Sequence, residues 1–215
     1  MATNPRRYSV HKIFGPTIQG EGGMTGAVSH FVRFSGCNMW DGRPKTKADS
    51  QCPFCDTDFF SHTMMTAEQI AQGLTTLPAA PWVTLSGGEP MLQIDEELVG
   101  TLQESGFKVA VETNGTIGMP RQMTVDYLTV SPKVSWDNLC IRKADCLKLL
   151  WPHPNWEINP TNYEDFQADS FYLQPIEDAD PIKNRVNIET AVKALYMLGD
   201  PWRLGLQIHK ILDVE

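Results

Sequence analysis

Short apolar runs rich in β-branched residues recur along the chain, each closed by glycine, proline or a small polar residue. Between several of them, apolar positions repeat at helical spacing. Read this way, the sequence predicts strands over residues 27–34, 82–85, 108–111, 127–130, 146–150, 171–173 and 203–208. Thr66-Ala67-Glu68-Gln69 has the form of a capping box and opens a helix towards Leu77. Asp95 is suited to cap a second helix through Glu104, with Gly106 as its stop, and Asn187 a third over 188–198, ended by Gly199 and Pro201. Strands alternating with helices indicate an α/β architecture with a parallel sheet. The polar stretch 38–51, with Gly42, Pro44, Arg43, Lys45 and Lys47, reads as a loop insertion in a single domain spanning 1–215.

Chemically distinctive motifs follow the predicted strands: Ser35-Gly36-Cys37, Ser86-Gly87-Gly88-Glu89-Pro90, Glu112-Thr113-Asn114-Gly115, Ser131-Pro132-Lys133, Gln174-Pro175 and His209-Lys210. Strand ends need turn residues in any fold. In a parallel α/β sheet or barrel, however, the carboxyl ends of the strands form the ligand face, so motifs on one rim would build a single site.

The overall balance excludes some classes of function. A formal charge of −8 and a pI near 5.1 argue against a surface that tracks nucleic-acid phosphates. No apolar run approaches the roughly 20 residues a membrane span requires. The first residues, Met-Ala-Thr-Asn-Pro-Arg-Arg-Tyr, carry nothing like a signal-peptide core. The expectation is a cytoplasmic protein without membrane or nucleic-acid partners, its cysteines present as thiols or metal ligands.

Cys37, Cys52 and Cys55 have the spacing C-x14-C-x2-C, and no fourth thiol lies nearby. Three thiolates suit a metal centre with one open position. An iron–sulfur cube with one exchangeable iron fits best; a structural zinc completed by His62 and a set of buried free thiols are the alternatives. The glycines of Gly87-Gly88-Glu89-Pro90 would let a ligand approach the backbone closely, and Glu89 could bind an ammonium group or support the neighbouring backbone. Cys140 and Cys146 read as core or surface thiols, and His11, His30, His62 and His153 as structural. Trp151, Trp156 and Tyr163 read as packing, and the acidic run 177–180 as a solvated loop.

Three cysteines after the first predicted strand and Gly-Gly-Glu-Pro after the second resemble a radical S-adenosylmethionine (SAM) enzyme, although most members space the cysteines as C-x3-C-x2-C. The further ordered motifs 14–22, 31–38, 55–58, 87–93, 112–115, 131–133, 173–175 and 206–210 resemble the 7-carboxy-7-deazaguanine synthase family, from about residue 9 to the C-terminus. Ser86 departs from it, standing where many members have threonine.

The resemblance implies an incomplete (β/α)6-type partial TIM barrel, generally a homodimer. It implies conversion of 6-carboxy-5,6,7,8-tetrahydropterin to 7-carboxy-7-deazaguanine and ammonia, by hydrogen abstraction at C6 and ring contraction. The implied cofactors are one [4Fe-4S] cluster, SAM and Mg2+, with an electron donor such as flavodoxin or ferredoxin. A glycyl-radical activase and a non-catalytic zinc module are the alternative functions.

Carried over residue by residue, the resemblance implies that Cys37, Cys52 and Cys55 hold the cluster and that Thr57 meets magnesium, the alternative for Thr57 being a turn cap. Phe54, Asp56, Gly88, Glu89, Ser131, Pro132, Lys133, Gln174, Pro175, Ile176 and Glu177 would meet SAM. Ile18, Gln19, Gly20, Glu21, Arg33, Ser86, His209 and the terminal Glu215 would meet the pterin. Glu21, Arg33, Glu112 and His209 are the candidate catalytic groups.

Overall fold

The computed structural model describes residues 4–215. A single nine-stranded sheet organises it, in the order β3-β1-β2-β4-β5-β6-β7-β8-β9. These strands are β1 (Tyr8–Ile18), β2 (Val28–Phe34), β3 (Thr63–Met65), β4 (Trp82–Gly87), β5 (Lys108–Thr113), β6 (Tyr127–Val130), β7 (Lys143–Trp151), β8 (Gln167–Pro175) and β9 (Trp202–Leu204). From β2 to β9 every pairing is parallel, while β1 pairs antiparallel with β2 and β3. The sheet does not close, and the architecture is that of a partial α/β barrel.

Period-two alternation divides the sheet's faces. Val32, Phe34, Val83, Leu85, Val109, Val111, Leu128, Val130, Leu147, Leu149 and Leu173 join the main apolar core. Helices α1 (Ala67–Thr75), α2 (Glu96–Glu104) and α3 (Pro181–Leu198) supply Ile70, Leu74, Leu98, Leu102 and Ala191 to it. Leu147 and Leu149 are fully buried, and truncating either to alanine would cost about 2–5 kcal/mol. The intervening positions, Arg33, Ser86, Glu112, Lys148 and Gln174, face a cavity on the opposite side. A short 3-10 turn, Gly22–Met24, packs against β7 and β8. Alternation therefore separates stability from chemistry along each strand.

Local capping explains where the helices begin. Thr66 and Gln69 form the expected reciprocal capping box, and Asp95 accepts from Leu98 N. The third helix differs from the sequence expectation: Asp180 caps it, Pro181 occupies its first turn, and Asn187 instead donates to the Ile176 carbonyl at 2.7 Å. Proline's preset φ suits the first turn, so the helix starts about two turns earlier than the Asn187 signal implied. The acidic run is an exposed loop, as expected, within which Asp180 also caps the helix and Glu177 pairs with Lys210.

Expected strand 203–208 is also revised. β9 stops at Leu204, Gly205 N bonds the Leu173 carbonyl at 2.9 Å, and Ile208–Ile211 forms the short helix α4. The loop 38–51 is folded on itself: Trp40 Nε1 donates to Arg43 O and Thr46 Oγ1, both at 3.2 Å, and a 3-10 turn spans Pro44–Thr46, while the Trp40 ring meets Phe59 edge-on at 5.3 Å. Of the aromatic trio, Tyr163 is buried and Trp151 half-buried, whereas Trp156 is exposed and packs no core. Among the described residues no helix is long and apolar enough to cross a membrane.

Candidate active site

The carboxyl ends of β2, β4, β5, β6, β7 and β8 surround a cavity of about 360 Å3, completed by β1, the Cys52–Phe59 loop and α4. Cys37, Cys52 and Cys55 all lie on its wall. The pair is set by a turn in which Cys55 N bonds the Cys52 carbonyl at 3.0 Å. Burial raises all three thiols, Cys52 to about 11; the neighbouring thiols add to this at Cys37 and Cys52, and Asp56 does so at Cys55. Such thiols become thiolates when a cation takes them. Among the described residues no three His, Cys, Asp or Glu converge on one ion position. Zinc would require its ligands within about 2.3 Å of a single point, and His62 is exposed and off the wall. Thiolates on an iron–sulfur cube each take a different iron, so three cysteines on one wall suit a cluster that leaves one iron open.

The Gly-Gly-Glu-Pro turn is held by backbone. Gly88 N and Glu89 N donate to the carbonyls of Phe34 and Gly36 at 3.0 and 2.8 Å. A Cβ on Gly87 would overlap Phe34 backbone, and one on Gly88 would overlap the Gly36 carbonyl. The lack of a Cβ at these two glycines admits the Phe34–Gly36 backbone to close contact, and both glycines also line the cavity. Glu89 is almost wholly buried; one oxygen accepts from Met91 N at 2.9 Å and Thr113 Oγ1 at 2.6 Å, the other from Asn114 N at 2.7 Å. Of the two uses expected for Glu89, backbone support is the one visible in this arrangement. It ties the β4 motif to the β5 motif.

Deeper in the cavity, β5, β7, the turn after β1 and the segment before α4 meet through hydrogen bonds and charge. Lys148 Nζ donates to Glu21 Oε2 and, at 3.1 Å, to Glu112 Oε2. Gln19 donates to Glu112 Oε1 and Gln207 to Glu21 Oε1, both at 2.7 Å. Burial disfavours the Lys148 ammonium, but the Glu112 and Glu21 carboxylates outweigh it and hold its pKa above the lysine range. Burial likewise pushes Glu21 up, and Lys148 with the amide donors holds it below the usual carboxylate range. Arg33 stacks on Phe14 with 5.4 Å between guanidinium and ring centroid, and no carboxylate pairs with it among the described residues. Lys133, its pKa depressed by burial, donates to Ser131 O and Oγ, both at 2.7 Å.

The C-terminal segment forms the remaining wall. The His209 ring covers Gly20, where a Cβ would overlap it, and Ile208 N bonds the Gly20 carbonyl at 3.0 Å. Lys210 pairs with Glu177 and, at 2.6 Å, with Asp56; burial raises Asp56, and Lys210 holds it below its ordinary value. Glu215 pairs with Lys12, and its backbone oxygen accepts from Thr17 at 2.7 Å.

Phe54, Asp56, Thr57, Gly88, Glu89, Ser131, Lys133, Gln174, Pro175, Ile176 and Glu177 line this cavity, as do Ile18, Gln19, Gly20, Glu21, Arg33, Ser86, Glu112, His209 and Glu215. Pro132 is buried and does not line it; Thr57 Oγ1 donates to Asp56 Oδ1 at 3.4 Å. His153 meets Phe54 edge-on at 5.0 Å, which gives that histidine a packing role beside the wall. Sequence reasoning missed Lys148, Gln207 and Lys210. Lys148 carried a signal, since a lysine inside the apolar run Cys146-Leu147-Lys148-Leu149-Leu150 needs a partner wherever the strand is buried.

A partial α/β barrel whose strand ends deliver three cysteines and a paired-carboxylate network to one cavity defines an enzyme acting on a small molecule. No protein-family model matches the chain. It is 38% identical to 7-carboxy-7-deazaguanine synthase of Bradyrhizobium diazoefficiens, with 97% of this chain and 99% of that one covered. It is 39% identical to that of Caulobacter vibrioides, over 96% and 99% of the two chains. The crystal structure of QueE from Escherichia coli superposes with a TM-score of 0.67 at 24% identity, covering 94% of each chain, a likeness of fold. The chain belongs to the 7-carboxy-7-deazaguanine synthase family.

Proposed function

We propose that this enzyme converts 6-carboxy-5,6,7,8-tetrahydropterin to 7-carboxy-7-deazaguanine and ammonia, using SAM on a [4Fe-4S] cluster together with Mg2+. The observation that carries this reading is that the three cysteines share one cavity with the Gln19, Glu21, Arg33, Glu112 and His209 set in a member of that family.

Cys37, Cys52 and Cys55 would hold the cluster, whose chemistry with bound SAM is to remove a hydrogen atom from C6 of the pterin. Lys133 and Ser131 are suited to the methionyl carboxylate: an anion beside Lys133 offsets the burial that depresses its pKa. Gln174 Oε1 is buried without a hydrogen-bond partner among the described residues, an acceptor that an amino group of adenine or pterin would satisfy. Arg33 offers its planar fork to the substrate carboxylate. Glu21 and Glu112 each retain lone pairs beyond those now engaged, and accept from the N–H edge of the pterin. His209 closes the pocket over Gly20.

Magnesium belongs to the same proposal, with Thr57 as one oxygen ligand beside the substrate carboxylate and water. So do an electron donor such as flavodoxin or ferredoxin, a cytoplasmic location and a homodimer. The exposed Ile182, Val186, Tyr196 and Met197 of α3 supply apolar surface that a second copy would cover. Metal and sulfide analysis after anaerobic purification tests the cofactor reading. Iron and sulfide in [4Fe-4S] proportion, with turnover stimulated by added Mg2+, are expected; one zinc per chain and no iron would exclude it.

A further inference from the structure

Building on that functional reading, we propose that Lys148 is a positioning residue for substrate recognition: its buried ammonium bridges Glu21 and Glu112, keeping the pair oriented as acceptors for the pterin's N–H edge.

The geometry carries this. Lys148 lies mid-strand in β7, between Leu147 and Leu149, which point to the apolar core. Its own side chain is almost completely buried and turns to the cavity side. The two carboxylates it joins come from distant parts of the chain, Glu21 from the turn after β1 and Glu112 from β5. Gln19 and Gln207 hold the second oxygen of each. Each oxygen thus has a fixed donor on the protein side and a spare lone pair for a ligand. A carboxylate that is ionised only accepts hydrogen bonds; a protonated one presents a donor to the same N–H edge and repels it.

Two carboxylates this close to one another in a buried pocket would share a proton in the absence of a cation. The other charged or titratable neighbours do not replace Lys148, and the His209 ring, which lies over Gly20 beside Glu21, bonds neither carboxylate among the described residues. Lys133 is a like charge engaged with Ser131, Cys146 is a thiol raised by burial, and Asp56 adds negative charge near Glu21. Lys210 is committed to Asp56 and Glu177. Without Lys148, Glu21 would move up from its depressed value, and below that new value the pocket would present a donor where the ligand needs an acceptor.

The experiment compares kcat and the KM for the pterin across pH 5.5–8.5 in wild-type, Lys148→Met and Lys148→Arg, with product binding to the cluster-loaded proteins measured by calorimetry over the same range. Wild-type KM is expected to vary less than threefold across the range beyond the ligand's own titration. Lys148→Met should raise KM at least tenfold at the acid end and recover towards neutral pH, with kcat changed less than KM. Lys148→Arg should retain the flat profile. A folded Lys148→Met enzyme with the wild-type KM and profile would overturn the assignment. So would an acid limb in KM within this range that wild-type and His209→Gln share, a result that needs no Lys148 variant and decides the matter even if Lys148→Met does not fold. Failure of wild-type to turn over the pterin would instead remove the functional reading beneath it.

Discussion

Glu89 N donates to the carbonyl of Gly36 at 2.8 Å, and the absence of a Cβ on Gly88 is what lets these two strand-end turns touch. The contact links the motif after β4 directly to the residue before Cys37. Substituting Gly88→Ala would force the turns apart, at a cost of about 1–3 kcal/mol, and displace Cys37 from its partners. Reconstituted G88A should hold less than half the wild-type iron, measured by iron and sulfide analysis. Wild-type loading in G88A would show that the contact does not position the cysteine.

Glu89 makes a second prediction. Its oxygens accept from three donors, two of them backbone N–H groups, in an almost wholly buried setting. Glu89→Gln replaces one acceptor with an NH2 group facing an N–H. The expected loss is about 2 kcal/mol of stability, read as a lower denaturant midpoint at unchanged slope. An unchanged midpoint would mean that this network is dispensable.

The Glu21–Lys148 pair predicts a pH dependence of stability. The depressed Glu21 pKa contributes stability in full above the ordinary glutamate value of 4.5, and loses it as pH falls through the folded value. The raised Lys148 pKa contributes in full below the ordinary 10.5 and loses it only at still higher pH. Stability from this pair should therefore be flat between those limits. Removing one partner should cost roughly 3 kcal/mol within the plateau. Thermal melts of wild-type and Glu21→Gln from pH 3.5 to 9 check this; identical acid limbs in the two would contradict it.

Much of this arrangement is legible in the sequence, and the exceptions have physical causes. The parallel strands were readable because they are buried on the helix side and flanked by turn residues, as at Trp82–Gly87 and Lys108–Thr113. β1 was not: its pairing with β2 shifts register between Val10 and Lys12 and between Phe14 and Thr17, which breaks the period-two pattern. Three-residue β3 is too short to give a period. Gly88 was readable as a close-approach position, but only the fold shows that the approaching group is the Gly36 carbonyl. Lys210 belonged to the motif following the expected strand 203–208, and its ion pairs depend on that segment forming α4 beside the cavity.

That C-terminal segment supplies a fourth prediction. Glu215 pairs with Lys12 and bonds Thr17 through its backbone oxygen, on the wall of the cavity. A tag appended at Glu215 should lower kcat/KM for the pterin at least tenfold relative to the same tag at the N-terminus. Equal values for the two proteins would remove the C-terminus from the site.

The central claim is the reaction itself, and anaerobic turnover tests it most directly. Reconstituted enzyme given 6-carboxy-5,6,7,8-tetrahydropterin, SAM, Mg2+ and a chemical reductant should form 7-carboxy-7-deazaguanine, identified by mass spectrometry, while Cys55→Ala prepared alongside should form none. Absence of that product from enzyme with a full iron–sulfur complement, or its formation at the wild-type rate by Cys55→Ala, would contradict the account.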